Sequence, residues 1–171
     1  MNKKVRGLSP EMWRPKSKSF KFPLALGEVP EDHPARQFYV YWRELCGDRQ
    51  YALKADFNPA RVKQILPNIG VVKLDYSAAE FDLYLTLVGE RIMEIAAING
   101  KGSYRKDLFA GDELSDRLIL YAEIAQNPAA RFFQMNAPFE GREYIQIVKG
   151  MFPFSADGKL VDHIFLAIDS I

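Results

Sequence analysis

The last stretch of the chain, residues 143 to 169, constrains the fold more than any other. It reads as two long strands joined by a tight turn at Ser155-Ala156-Asp157-Gly158, where Asp bonds locally and Gly admits φ > 0. On the second strand Leu160, Ile164, Leu166 and Ile168 fall on one face, and Val161, His163, Phe165 and Ala167 on the other. A strand apolar on both faces is covered on both faces. It therefore belongs at the centre of a sheet with a layer packed on each side. Pro153 cannot donate to a ladder and marks a bulge or an outward-facing position before the turn.

The rest of the chain supplies the layers. At 171 residues there is room for one domain with a tail. Residues 1–30 read as an irregular arm, basic over its first 22 residues and interrupted by Pro10, Pro15, Pro23 and Pro30. It is either a solvated arm draped over the domain or a contact site for an acidic partner. Residues 31–67 read as helices packing on the sheet. Asp32 or His33 caps the first, Pro34 takes its first position, and Gly47 ends it. Ala35, Phe38, Tyr39, Trp42, Leu45 and Cys46 form one broad apolar face. A short second helix starts at Asn58-Pro59 and stops at Pro67.

Residues 68–171 read as the core. Strands are expected over Ile69 to Leu74 and around Phe81 to Leu87, where Leu83, Leu85 and Leu87 alternate with Asp82, Tyr84 and Thr86. A short helix carrying Ile92, Met93, Ile95 and Ala96 follows. The loop at residues 99–103 has two glycines but lacks the flanking pattern of a nucleotide loop. Asp112 is placed to cap a longer helix reaching about Gln126, with Leu114, Leu118, Tyr121, Ala122 and Ala125 inward. A third strand spans Ala130 to Met135. The sum is an α+β fold: a five-stranded antiparallel sheet with helices inserted between strands 2 and 3, preceded by a helical extension.

These elements resemble the PAS sensor fold: two strands, a helical insert, three strands. The wording resembles a bacterial family of small stand-alone PAS-like proteins. Trp42, Leu45, Gly47, Arg49, Asp56 and Pro59 match its opening pattern, followed by Leu66-Pro67. Leu87-Val88-Gly89, the run RIMEI, Gly102, Phe152-Pro153-Phe154 and Asp157-Gly158 are similar to its later motifs. The resemblance covers roughly residues 36 to 169. Ala52 replaces a common proline, Ala97 a common glycine and Thr86 a common arginine. The resemblance implies a fold and a sensory role, without naming a ligand.

The chemistry on offer is sparse. His33 reads as a helix cap and His163 as a packed, hydrogen-bonded strand residue. One cysteine and two distant histidines make no closed zinc site, and Cys46 reads as a small packing residue that forms no internal disulfide. Haem-binding PAS domains hold the iron through a histidine on the long inserted helix, and residues 113 to 126 have none. Flavin photoreceptors resemble each other in an Asn-Cys-Arg-Phe run, where this chain has Asn99-Gly100-Lys101-Gly102. Haem and flavin are disfavoured on that comparison, leaving an unidentified small molecule as the ligand class.

A cavity between sheet and inserted helices would be lined by Leu85, Leu87, Met93, Leu118, Tyr121 and Phe132, with Arg117, Tyr121 and His163 as polar anchors. The alternative for the same residues is plain core. The helix with Phe38, Tyr39, Trp42 and Leu45 is expected to cover the outer face and to contribute to a homodimer. A net charge of +1 points at neither nucleic acid nor membrane, and the longest apolar runs are too short to span a bilayer. A lone cysteine and the lack of a signal-like apolar N-terminus make cytoplasm the expected location.

The reading is a non-catalytic sensory or interaction domain acting through a protein partner. Two alternatives stay open: a small α+β enzyme using His163 with Asp82 or Asp162, and a structural adaptor without a pocket. Neighbours on one strand point oppositely, so His163 and Asp162 are not expected to pair directly.

Overall fold

A computed structural model describes residues 21–77, 79–97, 100–139 and 141–171. The first 20 residues of the basic arm lie outside the described residues. Among the described residues, seven strands form one sheet: β1 (Lys21–Leu24), β2 (Ala52–Leu53), β3 (Ile69–Asp75), β4 (Asp82–Val88), β5 (Arg131–Asn136), β6 (Gln146–Ser155) and β7 (His163–Ser170). Helix α1 (Pro34–Cys46) precedes the sheet core. Helices α2 (Glu90–Ala96), α3 (Arg105–Leu108) and α4 (Gly111–Gln126) are inserted between β4 and β5. The sheet order is β1-β5-β6-β7-β3-β4, with β2 alongside β6. The five core strands pair antiparallel, as the two hairpin connections require.

Two strands depart from the five expected. Residues 21–24, within the stretch expected to be irregular, form β1, which pairs antiparallel with β5 along the sheet edge. β2 pairs parallel with β6 over two residues, Ala52 with Phe154 and Leu53 with Ser155. The segment after Asn58 is no single helix. It is a run of 3-10 turns over Pro59–Asn68, kinked at Val62, because Pro67 and the β-branched Val62 leave no uninterrupted helical stretch.

β7 is covered on both faces. On its inner face Ile164, Leu166 and Ile168 join Leu83, Leu85, Tyr121 and Ile124 in one core. On its outer face Phe165 and Ala167 join Phe38, Trp42, Phe152 and Phe154 in another. Each core therefore forms on its own side of the sheet, α4 closing the first and α1 the second.

Helix α1 starts where His33 Nδ1 accepts from the Ala35 amide at 3.1 Å, with Pro34 pre-set for the first turn. It stops at Gly47, whose φ of 56° closes the end. Phe38 and Trp42 are buried against the sheet, while Tyr39 and Leu45 pack half-buried at its margin. The Trp42 indole donates to the Pro153 carbonyl at 3.0 Å. Phe154 O accepts from Asp162 N, so alternation turns Pro153 the opposite way, beyond the end of β5. The proline thus sits where no ladder donor is needed.

The turn after β6 is longer than four residues. Seven residues, 156–162, separate β6 from β7, and Asp157 Oδ1 accepts from the Lys159 and Leu160 amides. α4 begins at Gly111 after Ala110, so Asp112 lies in its first turn, where its charge suits the helix dipole, and is no cap.

Candidate functional site

A cavity of about 80 Å³ lies between the inner face of the sheet and the inserted helices. Every core strand contributes to its wall: Gly70 from β3, Leu85 and Val88 from β4, Met135 from β5, Ile147 and Lys149 from β6, and Leu166 and Ile168 from β7. α2 brings Ile92, Ile95 and Ala96, which share one helical face. Arg105 of α3, Phe109 just after that helix, and Arg117 of α4 close one side, and Pro138 and Phe139 another.

The wall is apolar except for three cations. Lys149 is only 6% exposed and sits on β6 between Ile147 and Met151 in the inward phase. Among the described residues no hydrogen bond or ion pair reaches its ammonium; its contact is the Tyr121 ring, with the centroid 5.7 Å away. The guanidinium carbons of Arg117 and Arg105 lie 4.0 and 5.6 Å from the Phe109 ring centroid. Arg117 pairs with Glu113 at 3.2 Å, but its Nε has no hydrogen-bond partner. The buried Tyr121 hydroxyl near Arg105 also lacks a well-formed hydrogen bond. Of the carboxylates around these cations, Glu113 is engaged by Arg117, and Asp82 lies 3.8 Å from Lys106.

Burial pushes the Lys149 ammonium well below its ordinary value of 10.5, and Lys21, Arg117 and Arg105 push it further down. Tyr121 moves up through burial, against the pull of the two arginines. The Lys149 shift has a measurable consequence. Below its folded pKa both states hold the proton, and the fold bears the full cost of burying the charge. Between that pKa and 10.5 the unfolded chain binds more protons, so stability rises with pH. Urea denaturation from pH 7 upwards is therefore expected to show Lys149→Met more stable than the parent protein at neutral pH. That advantage shrinks towards alkaline pH, and groups common to both variants cancel in the difference.

The residues expected from the sequence separate into two sets. Leu85 and Arg117 line the cavity, Tyr121 backs it, and Leu118 packs half-buried in the inner core. Leu87 does not face it. The ladder shifts between Val71 and Val72, so Thr86 is an extra residue and Leu87 falls opposite outward-facing Val71 and is 43% exposed. The bulge turns Val88 inward in its place. Met93 sits off the Ile92–Ile95–Ala96 face of α2 and is half-buried outside the cavity wall.

Phe132 and His163 lie on the other side of the sheet. Phe132 packs in the outer core, 5.9 Å from the Tyr39 ring and 5.8 Å from Phe152, while its neighbour Phe133 takes the inner phase. His163 shares the outer phase with Phe165. Its Nδ1 lies 2.8 Å from Asp162 Oδ1 and its Nε2 lies 3.3 Å from Lys54 Nζ. The two neighbours do pair, because Asp162 precedes the first residue of β7 and is free of strand alternation. Burial lowers the His163 pKa, with Asp162 opposing.

Lys149 and Arg105 were not singled out by sequence reasoning. For Lys149 a signal existed: a lysine in phase with Ile147 and Met151 on a strand covered on both faces. For Arg105 none did, because its position depends on a one-turn helix packed by its neighbours.

A family model described as a PAS domain matches residues 31–165, which include α1, the 3-10 turns, β3 to β6, the helical insert and the first residues of β7. No curated protein matches the chain.

Proposed function

Because the chain belongs to the PAS domain family, we propose that it is a non-catalytic sensory and interaction domain taking a small molecule into the cavity between sheet and inserted helices. The observation that carries this is Lys149, a buried amine without a protein acceptor among the described residues, lining a space within the inner core. Occupancy would bias the arrangement of α2–α4, and a protein partner or a second copy would read it. The groups around the cavity are cations, a tyrosine and apolar side chains. The His163–Asp162 pair lies on the opposite face, which favours a binding role over acid–base chemistry.

Native mass spectrometry of freshly purified protein is the test. The expected result is a mass increment that disappears on partial unfolding, and the same spectrum reports the subunit count. A bare chain mass, with no ligand stabilising the protein in a thermal-shift screen of small acids and neutral compounds, favours a structural adaptor.

A further inference from the structure

The chemistry of the cavity wall narrows what it can hold. Three basic side chains converge on a space where the Glu113 carboxylate already pairs with Arg117. A neutral guest would bring no counter-charge to Arg105 or to the unpartnered Nε of Arg117, and no acid to the buried Lys149 amine. A bare inorganic anion would satisfy the cations but leave Ile92, Phe139 and Leu166 facing water or void. The volume of about 80 Å³ exceeds the roughly 10–15 Å³ that one water requires. It suits a body of a few carbons, not a long acyl chain.

We propose that the ligand is a small organic anion, a carboxylate on a short apolar or aromatic body. Its carboxylate meets Lys149, Arg105 and Arg117, and its body lies against Ile92, Phe139 and Leu166. The proposal rests on the cavity being a ligand site. Arg105 and Arg117 are held over the Phe109 ring, which orients both guanidiniums before the ligand arrives. Lys149 is supplied by a central strand that cannot swing away, so the anion must come to it. Because burial favours the neutral amine, an arriving carboxylate restores the ammonium, and binding draws a proton from the solvent.

Isothermal titration with hexanoate and benzoate, against hexanamide, benzamide and inorganic phosphate, tests this on the full chain. The acids are expected to bind at least about tenfold more tightly than their amides and than phosphate, a difference of about 1.4 kcal/mol. Comparison of two buffers with different ionisation enthalpies is expected to show proton uptake on binding. Lys149→Met is expected to erase the preference for acid over amide while remaining folded, and Arg105→Gln to reduce it. Acids and amides binding within tenfold of one another overturn the anion, as does an unchanged preference in Lys149→Met. Phosphate binding as tightly as the acids overturns the apolar body. A neutral molecule retained in the native mass spectrum overturns the anion yet leaves the cavity as a ligand site. No retained molecule and no titrated binding remove both.

Discussion

Gly89→Ala is expected to destabilise the protein by about 3 kcal/mol, at the upper end for overpacking a tight site, and to lower its thermal midpoint by roughly 6–12 °C. A Cβ at residue 89 would stand 2.2 Å from the Pro67 carbonyl oxygen, 2.6 Å from its carbon and 2.8 Å from the Leu66 oxygen. All three are backbone atoms, so no side-chain rotation relieves the clash. The φ of −68° and ψ of 153° at Gly89 suit any residue. The glycine is therefore required for close approach, not for its own conformation. Gly89 also ends β4 and begins α2: its amide donates to Ile69 O at 2.8 Å, and its carbonyl accepts from Met93 N at 3.1 Å. Moving it shifts the helix that brings Ile92, Ile95 and Ala96 to the cavity, so affinity for the proposed organic anion is expected to fall along with stability. Gly27→Ala is the control, since no atom lies within 4 Å of the added carbon. Urea denaturation and calorimetry of both variants decide it, and a loss below about 1 kcal/mol for Gly89→Ala, within the range of an ordinary substitution, contradicts the close approach.

The central strand was the most legible part of the sequence, because its two apolar faces are set by residue alternation alone. Ile164, Leu166 and Ile168 enter one core, and Phe165 and Ala167 the other, as the phase requires. α1 was legible for the same reason at helical period, with proline and glycine marking its ends. What escaped was decided by partners rather than by pattern. β1 is a strand because the edge of β5 offers its ladder, and nothing in Lys21–Leu24 announces it. The bulge opposite Val71 and Val72 leaves the alternation of β4 intact in sequence while reversing its facing after Leu85. Ala97 gives the opposite case. The family resemblance implies a glycine there, and the φ of 60° at Ala97 is a left-handed conformation that costs a non-glycine residue roughly 1 kcal/mol or more.

The site divides along the same line. Leu85, Arg117 and Tyr121 lie on elements whose phase is unambiguous, and all three stand at or behind the cavity wall. Phe132 was ambiguous because Phe133 follows it, and adjacent aromatic residues on a strand face opposite ways. Lys149 went unread because a single charge in an apolar strand is visible only once both sides of that strand are known to be covered. The aromatic wealth of α1 also has a use within the chain. Phe38 and Trp42 are taken up by the outer face of its own sheet, so a homodimer would have to use other surfaces of the helix, such as exposed Val40.

That outer core sets the second large expected effect. Phe38→Ala should cost about 3–5 kcal/mol, the range for truncating a fully buried aromatic residue. Phe38 is 0% exposed, and its ring centroid lies 4.8 Å from Phe152, 6.0 Å from Tyr41, 6.1 Å from Phe165 and 6.3 Å from Phe57. It joins α1 to both long strands, and these rings sit in interlocking edge and stacked geometries that a neighbour cannot refill. Val40→Ala, on the exposed side of the same helix, is expected to change stability by no more than about 0.5 kcal/mol. The two cores lie on opposite faces of one sheet, which gives the measurement a second reading. At temperatures where Phe38→Ala remains folded, its affinity for the cavity ligand should stay within about threefold of the parent's, as for distant sites without shared partners. Gly89→Ala, by contrast, should lose both stability and affinity. A Phe38→Ala protein that loses affinity for the proposed anion while folded would show that the sheet transmits strain between its faces, and α1 would then join the inserted helices in the layer proposed to respond.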